Sequence, residues 1–496
     1  MKNKILKKLL EKENGGVVLF LMVVVFGIFL RFWQIGFSSY WIDEGFTLMQ
    51  AEGVARHGYP LLRSGLVEWK DLLMPYILAP LVKFFGLQAS WLLRLPGAIF
   101  GTMSIVVAYY LARKLFSPVV GLIFSFFIST GYWYVAWSQQ VRGYSALIFF
   151  VLLFFYFLIE FSDQKQVKYI FYSFLSILGA VLAKKFGIIL LPVFLFFLLW
   201  QRRYKIFLIF FLPGLFGGGF IIHSVIPSLA FNVKSYFSFY WQHYLWDYFS
   251  LFLVLGIIGL FTVLKNKNKY QAVHLSILLF FWISLSVLSF FVYITERRYL
   301  IMVTPFLFLY TAKAIDYFAH YFQEKYLLVL TLLLFGSVFY GVNYQQGLMI
   351  LPQKHYPLEF YTPQPDYREA YKEIKRRGFR AEDIIISGNP QMDIIYLGRA
   401  GYIIPWSLTG RGDQNNIIKE KEFYSGAHRL YGMKGKTAFD KIISLQKKGN
   451  VYVILDALSS SRIKLKLWRK IAQNGQKIFV GNGQGDRLTV YLFPKK

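Results

Sequence analysis

The sequence predicts a mainly α protein: a polytopic bundle of about eleven membrane-spanning helices, interfacial helices in the first outer loop, and a small extracytoplasmic α/β domain at the C-terminal end. Three observations predict it. The 496 residues are 56% hydrophobic with a mean hydropathy of +0.45, more apolar side chain than one soluble core can use. Charge is pushed into short clusters between long apolar runs. Beyond Pro352 the runs shorten to strand length and charge becomes regular, which divides the chain into residues 1–345 and 346–496.

Composition also excludes function classes. The chain has no Cys, so disulfides, thiolate metal sites and a cysteine nucleophile are excluded. The net charge is +29, with 26 Lys and Arg against 13 Asp and Glu after Tyr344. These cations sit between apolar runs and in the C-terminal portion rather than along one stripe, a pattern that fits membrane orientation and anionic headgroups and not nucleic acid. The first apolar run lacks a small-residue cleavage site and is followed by Phe32 and Trp33, so it reads as a retained span.

Lys2, Lys4, Lys7, Lys8 and Lys12 precede Val17 to Trp33, which places the N-terminus in the cytoplasm and the next loop outside. Leu72 to Gly86 is short and carries Pro75, Pro80 and Lys83, so it reads as an interfacial helix on the outer surface. Spans then alternate: Leu93 to Ala112, Val119 to Trp137, Tyr144 to Phe161, Tyr169 to Leu182, Ile188 to Trp200 and Ile206 to Ile222. The turns this assigns to the cytoplasm hold Arg113 and Lys114, then Lys165 and Lys168, then Arg202, Arg203 and Lys205, as the charge rule requires. An aromatic segment from His223 to Asp247 suits the headgroup layer. Phe249 to Leu264, Leu275 to Tyr293, Tyr299 to Phe318 and Tyr326 to Tyr344 complete the bundle and leave the C-terminal domain outside. That domain reads as helices at Asp366 to Arg377, Gln391 to Leu397, Phe439 to Lys448 and Ser459 to Gln473. Its strands fall at Asp383 to Ser387, Val451 to Leu455, Lys477 to Val480 and Leu488 to Phe493.

The stretch FSSYWIDEGFTLMQ sets Asp43 and Glu44 just beyond the first span. A carboxylate pair there is costly to hold near lipid and makes a useful proton acceptor in a partly dry setting; the same residues would also serve as helix N-terminal charges. Arg142, in SQQVRGY, returns to the same face, where a guanidinium can grip a phosphate through two parallel hydrogen bonds or snorkel to the interface. Lys184 with Lys185, and Arg297 with Arg298, also end spans outside, against the orientation bias, which points to an anionic ligand or to lipid. Asp456 ends a strand, where open α/β sheets bind ligands and where a helix N-cap also belongs.

WIDEGFTLMQA, RLPGAIFGTMSIVVAYYLARKLF, GYWYVAWSQQVRGYSAL and ERRYLIMVTPFLFLY together resemble the GT-C superfamily of integral-membrane glycosyltransferases, and within it the protein O-mannosyltransferase and lipid A aminoarabinose transferase group. The resemblance spans the first two-thirds of the chain. It implies a polyprenyl-phosphate sugar donor, a protein, glycan or lipid acceptor, and chemistry outside the cytoplasm. It also implies a catalytic aspartate at Asp43, a second acidic position at Glu44 and a donor-phosphate arginine at Arg142. Beside these, the outer-face cations Lys184, Lys185, Arg297 and Arg298 are read as further phosphate contacts. Where relatives carry a His-Pro-Pro stretch this chain reads Asp71-Leu72-Leu73-Met74-Pro75-Tyr76, so Asp71 or Glu68 supplies the polar group in place of the missing His. Tyr144, beside Arg142, joins them as a substrate contact.

No cofactor is required by these residues. A divalent metal is compatible with His57, His223 and His243 near Glu44, Glu68 and Asp71, although no ligand spacing stands out. Two other functional readings share the spans. A transporter or flippase of lipid-linked sugars predicts mid-membrane ionisable groups and paired broken helices, which the sequence does not display. A non-catalytic membrane scaffold would tolerate loss of Asp43.

Overall fold

The computed structural model describes residues 13–63, 65–211, 237–265, 269–290, 297–321, 365–399, 401–403, 428–429, 443–456, 465–481 and 488–496. The span expected at Tyr326 to Tyr344, most of Ile206 to Ile222, the end of Leu275 to Tyr293, and the first part of the aromatic segment lie outside these residues. So do the opening residues of the helices expected at Phe439 and Ser459. The chain is mainly helical and forms two compact units. A helical unit comprises residues 1–33 and 97–352, and a mixed unit comprises residues 34–96 and 353–496.

In the helical unit, the helices Ser90–Leu115, Tyr144–Gln164 and Gln271–Phe290 are long and apolar enough to cross a membrane, the first of them beginning in the mixed unit. Shorter apolar helices run over Gly16–Phe32, Pro118–Thr130, Val167–Ala183, Lys185–Trp200 and Leu251–Leu264. The span expected as one piece from Val119 to Trp137 is interrupted. Pro118–Thr130 ends at Gly131, whose ψ of 128° is extended, and Tyr132–Ser138 restarts the helix. The break strands the carbonyls of Ile128 and Ser129, and Arg31 answers both at 2.8 Å while holding Gly27 O at 3.1 Å. A side chain from a different helix therefore caps this one, which apolar periodicity cannot show.

One end of this unit gathers the ends of Ser90–Leu115 and Tyr144–Gln164 and the turn before Gln271–Phe290. Lys114 reaches Glu160 at 2.5 Å and Asp163 at 3.6 Å, Lys269 reaches Asp163 at 3.0 Å, and the Tyr270 hydroxyl donates to the same carboxylate at 2.9 Å. Glu160 and Asp163 close the Tyr144–Gln164 helix, which at 1.5 Å per residue sets them about 25–30 Å from its Tyr144 end. That is the thickness of a bilayer's hydrocarbon core.

The mixed unit carries a six-stranded sheet in the order β3-β2-β1-β4-β6-β5, where β1 is Ile384–Ser387, β2 Tyr402–Ile403, β3 His428–Arg429, β4 Val451–Leu455, β5 Gln476–Val480 and β6 Thr489–Phe493. Strands β3, β2, β1 and β4 are parallel, and β6 pairs antiparallel with both β4 and β5. Strand β4 is buried along its whole length, as a continuous Val-Tyr-Val-Ile-Leu run demands. Ile386, Val451, Val453, Leu455, Ile471, Tyr491 and Phe493 form the core. The helices Tyr367–Arg376 and Pro390–Leu397 flank the sheet. Leu73–Phe85 is a 13-residue helix that buries Met74, Leu78 and Val82 and leaves Tyr76, Phe84 and Phe85 exposed, an amphipathic division.

Asp393 is fully buried in this unit and accepts hydroxyl hydrogen bonds from Tyr371 at 2.5 Å and Ser387 at 2.7 Å. Burial lifts its carboxyl to about 6 from 3.8, despite those donors. Between these values the unfolded chain has lost the proton and the folded one keeps it, so stability falls as pH rises from about 4 to about 6. Relative to Asp393→Asn, the wild-type unit should lose up to about 3 kcal/mol over that window, measured by denaturant melts.

Candidate functional site

The helix Ile42–His57 opens at Trp41, whose backbone is extended (φ −106°, ψ 170°). Glu44 stands in its first turn and accepts the Trp41 N–H at 3.2 Å, satisfying one of the helix's orphan donors. The same carboxylate receives Arg94 through two bonds, Nε to Oε1 and Nη2 to Oε2, each 2.9 Å, with both side chains fully buried. Arg94 spends its remaining donors on the chain leading into the helix: Ile35 O and Ser38 O at 3.0 Å, Ser39 O at 3.1 Å, and Ser38 Oγ at 3.2 Å. One guanidinium thus fixes residues 35–39 and the first helical turn together. Asp43, between Trp41 and Glu44 in the chain, is only half-buried. Gln50, two turns on, donates to the carbonyls of Glu68 and Lys70 at 3.2 and 3.0 Å, which ties the following loop to the same helix.

In the helical unit a second constellation forms around Tyr144. Gly143 packs on Ala183 so tightly that an added methyl group would strike the Ala183 carbonyl. This close approach brings the turn carrying Arg142 against the end of the helix Val167–Ala183, and Lys184 follows directly. Lys184 is 4% exposed and holds its ammonium 4.8 Å over the Tyr144 ring, which lies 4.4 Å from Trp137. Lys185 opens a short 3₁₀ turn and sits 5.8 Å from the Phe186 ring; Phe186 lies 4.8 Å from Tyr299 with the rings tilted by 49°, and Arg298 lies 5.8 Å over Tyr299. Cations from three separate stretches of sequence thereby share one aromatic-lined end of the unit. Such an arrangement suits a phosphate whose attached chain is apolar.

The fold has solved counterparts. ArnT from Cupriavidus metallidurans in the apo state aligns over 97% of this chain and 98% of its own, at 14% identity and a TM-score of 0.56. The fold is that of the GT-C glycosyltransferases. ArnT bound to undecaprenyl phosphate gives the same coverage at a TM-score of 0.55 and 14% identity. The archaeal oligosaccharyltransferase AglB from Archaeoglobus fulgidus, in complex with an inhibitory peptide and a dolichol-phosphate, aligns over 88% of this chain and 69% of its own, at 11% identity and a TM-score of 0.56. The family described as dolichyl-phosphate-mannose-protein mannosyltransferase matches residues 70–231, about a third of the sequence. A search of curated proteins returns no match.

Within the GT-C fold the expected residues fall into two sets. Asp43, Glu44, Glu68 and Asp71 belong to the mixed unit, and Arg142, Tyr144, Lys184, Lys185, Arg297 and Arg298 to the helical unit. Glu44 is committed to Arg94. Glu68 pairs with Lys70 at 3.4 Å, and Asp71 adopts the left-handed region at φ 55°, which a short polar side chain tolerates. Tyr144 is 2% exposed and works as the platform under Lys184. Arg297 begins the 3₁₀ turn Arg297–Met302. Among the described residues no group of three or more His, Asp or Glu is placed to hold a metal; His57 is exposed and His223 lies outside them. Sequence reasoning missed Arg94. Its signal was an arginine set into the apolar run that follows Ser90, a position that demands a counter-charge.

Proposed function

We propose that the protein is an inverting glycosyltransferase that moves a sugar from a polyprenyl-phosphate donor to an acceptor hydroxyl or amine outside the cytoplasm. The observation that carries the reading is the convergence of Arg142, Lys184 and Arg298 on the aromatic end of the helical unit, in a fold whose ArnT counterpart holds undecaprenyl phosphate. Arg142, with Lys184, Lys185, Arg297 and Arg298, holds the phosphate and takes up its growing negative charge as the anomeric C–O bond breaks. Asp43 receives the acceptor's proton as its oxygen or nitrogen bonds the anomeric carbon from the opposite face. The phosphate is already a good leaving group, so no covalent intermediate is needed and configuration inverts. Glu44 acts through Arg94 as a positioning residue. The charge rule supports a cytoplasmic N-terminus, with Asp43 and residues 346–496 on the other side.

The test uses protein in vesicles and the lipid-linked sugar that accumulates in cells lacking it, purified as donor. Arg142→Ala should lower kcat by roughly a hundred- to a thousandfold and weaken binding of undecaprenyl phosphate in a thermal-shift titration. Wild-type turnover by this variant would refute the phosphate assignment. A scaffold would show no turnover in the native protein, and a flippase would move the donor without cleaving it.

A further inference from the structure

We propose that the C-terminal α/β sheet serves as a holder for the Asp43 loop, its ligand crevice taking a segment of the same chain in place of a small molecule. This rests on Asp43 being the base. In open parallel sheets a ligand lies beyond the carboxyl ends of the two strands where the order reverses. Here those strands are β1 and β4, with β2 on the far side of β1, and their ends are Ser387 and Leu455. Among the described residues, the buried polar groups at this point answer one another. Tyr367 and Asn389 both donate to Asp456, and Tyr371 and Ser387 both donate to Asp393, all of them buried.

The two helices beside that point reach instead for the loop. On Tyr367–Arg376, Arg368 donates to Gly36 O at 2.9 Å, to Phe37 O and Ser38 O at 3.2 Å and to Ser90 Oγ at 2.9 Å, and its backbone N–H donates to Ser39 Oγ at 3.1 Å. On Pro390–Leu397, the Tyr396 hydroxyl accepts the Tyr40 N–H at 3.4 Å. Gln391 and Met392 of that helix press on Gly45, where an added Cβ would stand 2.9 Å from Gln391 Cβ and 2.8 Å from Met392 Cε. The grip falls at residues 36–40 and again at 45, so Asp43 is bracketed from both sides. Both amide atoms of Gln391 are buried without a hydrogen-bond partner, so this side chain acts as filler against the glycine and its removal breaks no hydrogen bond. A base held to a fraction of an ångström is what such bracketing supplies, and a displacement of about 1 Å costs on the order of a hundredfold in rate.

Two variants loosen the holder without touching Asp43. Gly45→Ala pushes Ile42–His57 away from Pro390–Leu397, and Arg368→Ala deletes the clamp on residues 36–38. Hydrogen exchange read by mass spectrometry should rise about tenfold or more in peptides covering residues 36–50 and stay unchanged in the Tyr144–Gln164 helix, which reports an intact fold. With the purified lipid-linked donor, kcat should fall about ten- to a hundredfold while the donor KM stays within about twofold. Clearing the space beside the new methyl group, as Gly45→Ala with Gln391→Gly, should restore both exchange and kcat, since the remaining contact is the flexible end of Met392; Arg368→Lys should not, because an ammonium cannot span three carbonyls. Unchanged exchange in both single variants would overturn the holder, and so would raised exchange with unchanged kcat. Normal turnover by Asp43→Asn would instead remove the base assignment, and the exchange measurement would still decide whether the sheet domain grips the loop.

Discussion

Asp43→Asn is expected to lower kcat by about a hundred- to ten-thousandfold, the range spanned by loss of a positioned general base. The amide matches the carboxylate in shape, so the first turn of Ile42–His57 keeps its form, including the Glu44 bond to the Trp41 N–H. What is lost is the ability to receive a proton. Binding of undecaprenyl phosphate should be unaltered, because the variant removes no cation. Single-turnover rates with purified donor, beside a thermal-shift titration with the lipid phosphate, separate the two quantities. Equal losses in both would mean that the aspartate acts in binding and not in proton transfer.

Arg94→Met should destabilise the mixed unit by about 3–5 kcal/mol, because it leaves the Glu44 carboxylate buried without its partner. That is a large share of the roughly 5–15 kcal/mol by which domains are stable, so poor recovery from membranes is expected alongside a lowered melting midpoint. Glu44→Gln alone should cost less, since the glutamine carbonyl can still accept from one guanidinium nitrogen. The double variant Arg94→Met with Glu44→Leu should recover the part of that loss that comes from the unpaired carboxylate, while the Trp41 N–H and the carbonyls left without partners still cost stability. It should nonetheless turn over poorly, because the carbonyls of Ile35, Ser38 and Ser39 lose the donor that ordered them. A melt that recovers in part with activity that does not is the signature of a positioning pair.

Much of this was readable in the chain. Strand β4 was readable residue for residue, since an unbroken β-branched and aromatic run between polar flanks admits little else. The Tyr367–Arg376 helix was readable from its apolar face at Tyr367, Ala370, Tyr371 and Ile374. Arg142 and Lys184 were readable only as residues at the ends of two successive apolar runs expected on one face. Periodicity reports whether a side chain is buried, but not what it meets. The Gly131 break leaves the apolar run intact and depends on Arg31, about a hundred positions away. The partner of Arg94 lies 50 positions off, and β2 and β3 are two residues each, too short to carry a pattern. The union of residues 34–96 with 353–496 is likewise long-range and left no local trace.

Arg31 carries a wider consequence. Its guanidinium is answered by the backbone carbonyls of Gly27, Ile128 and Ser129, and among the described residues no carboxylate pairs with it. Carbonyl dipoles solvate a cation but leave its full unit of charge in place. Burial keeps mobile counter-ions away from this guanidinium, so salt screens its charge far less than it screens an exposed lysine. An anion drawn to this part of the protein would feel a pull that persists in concentrated salt, long after attraction to the surface lysines has faded.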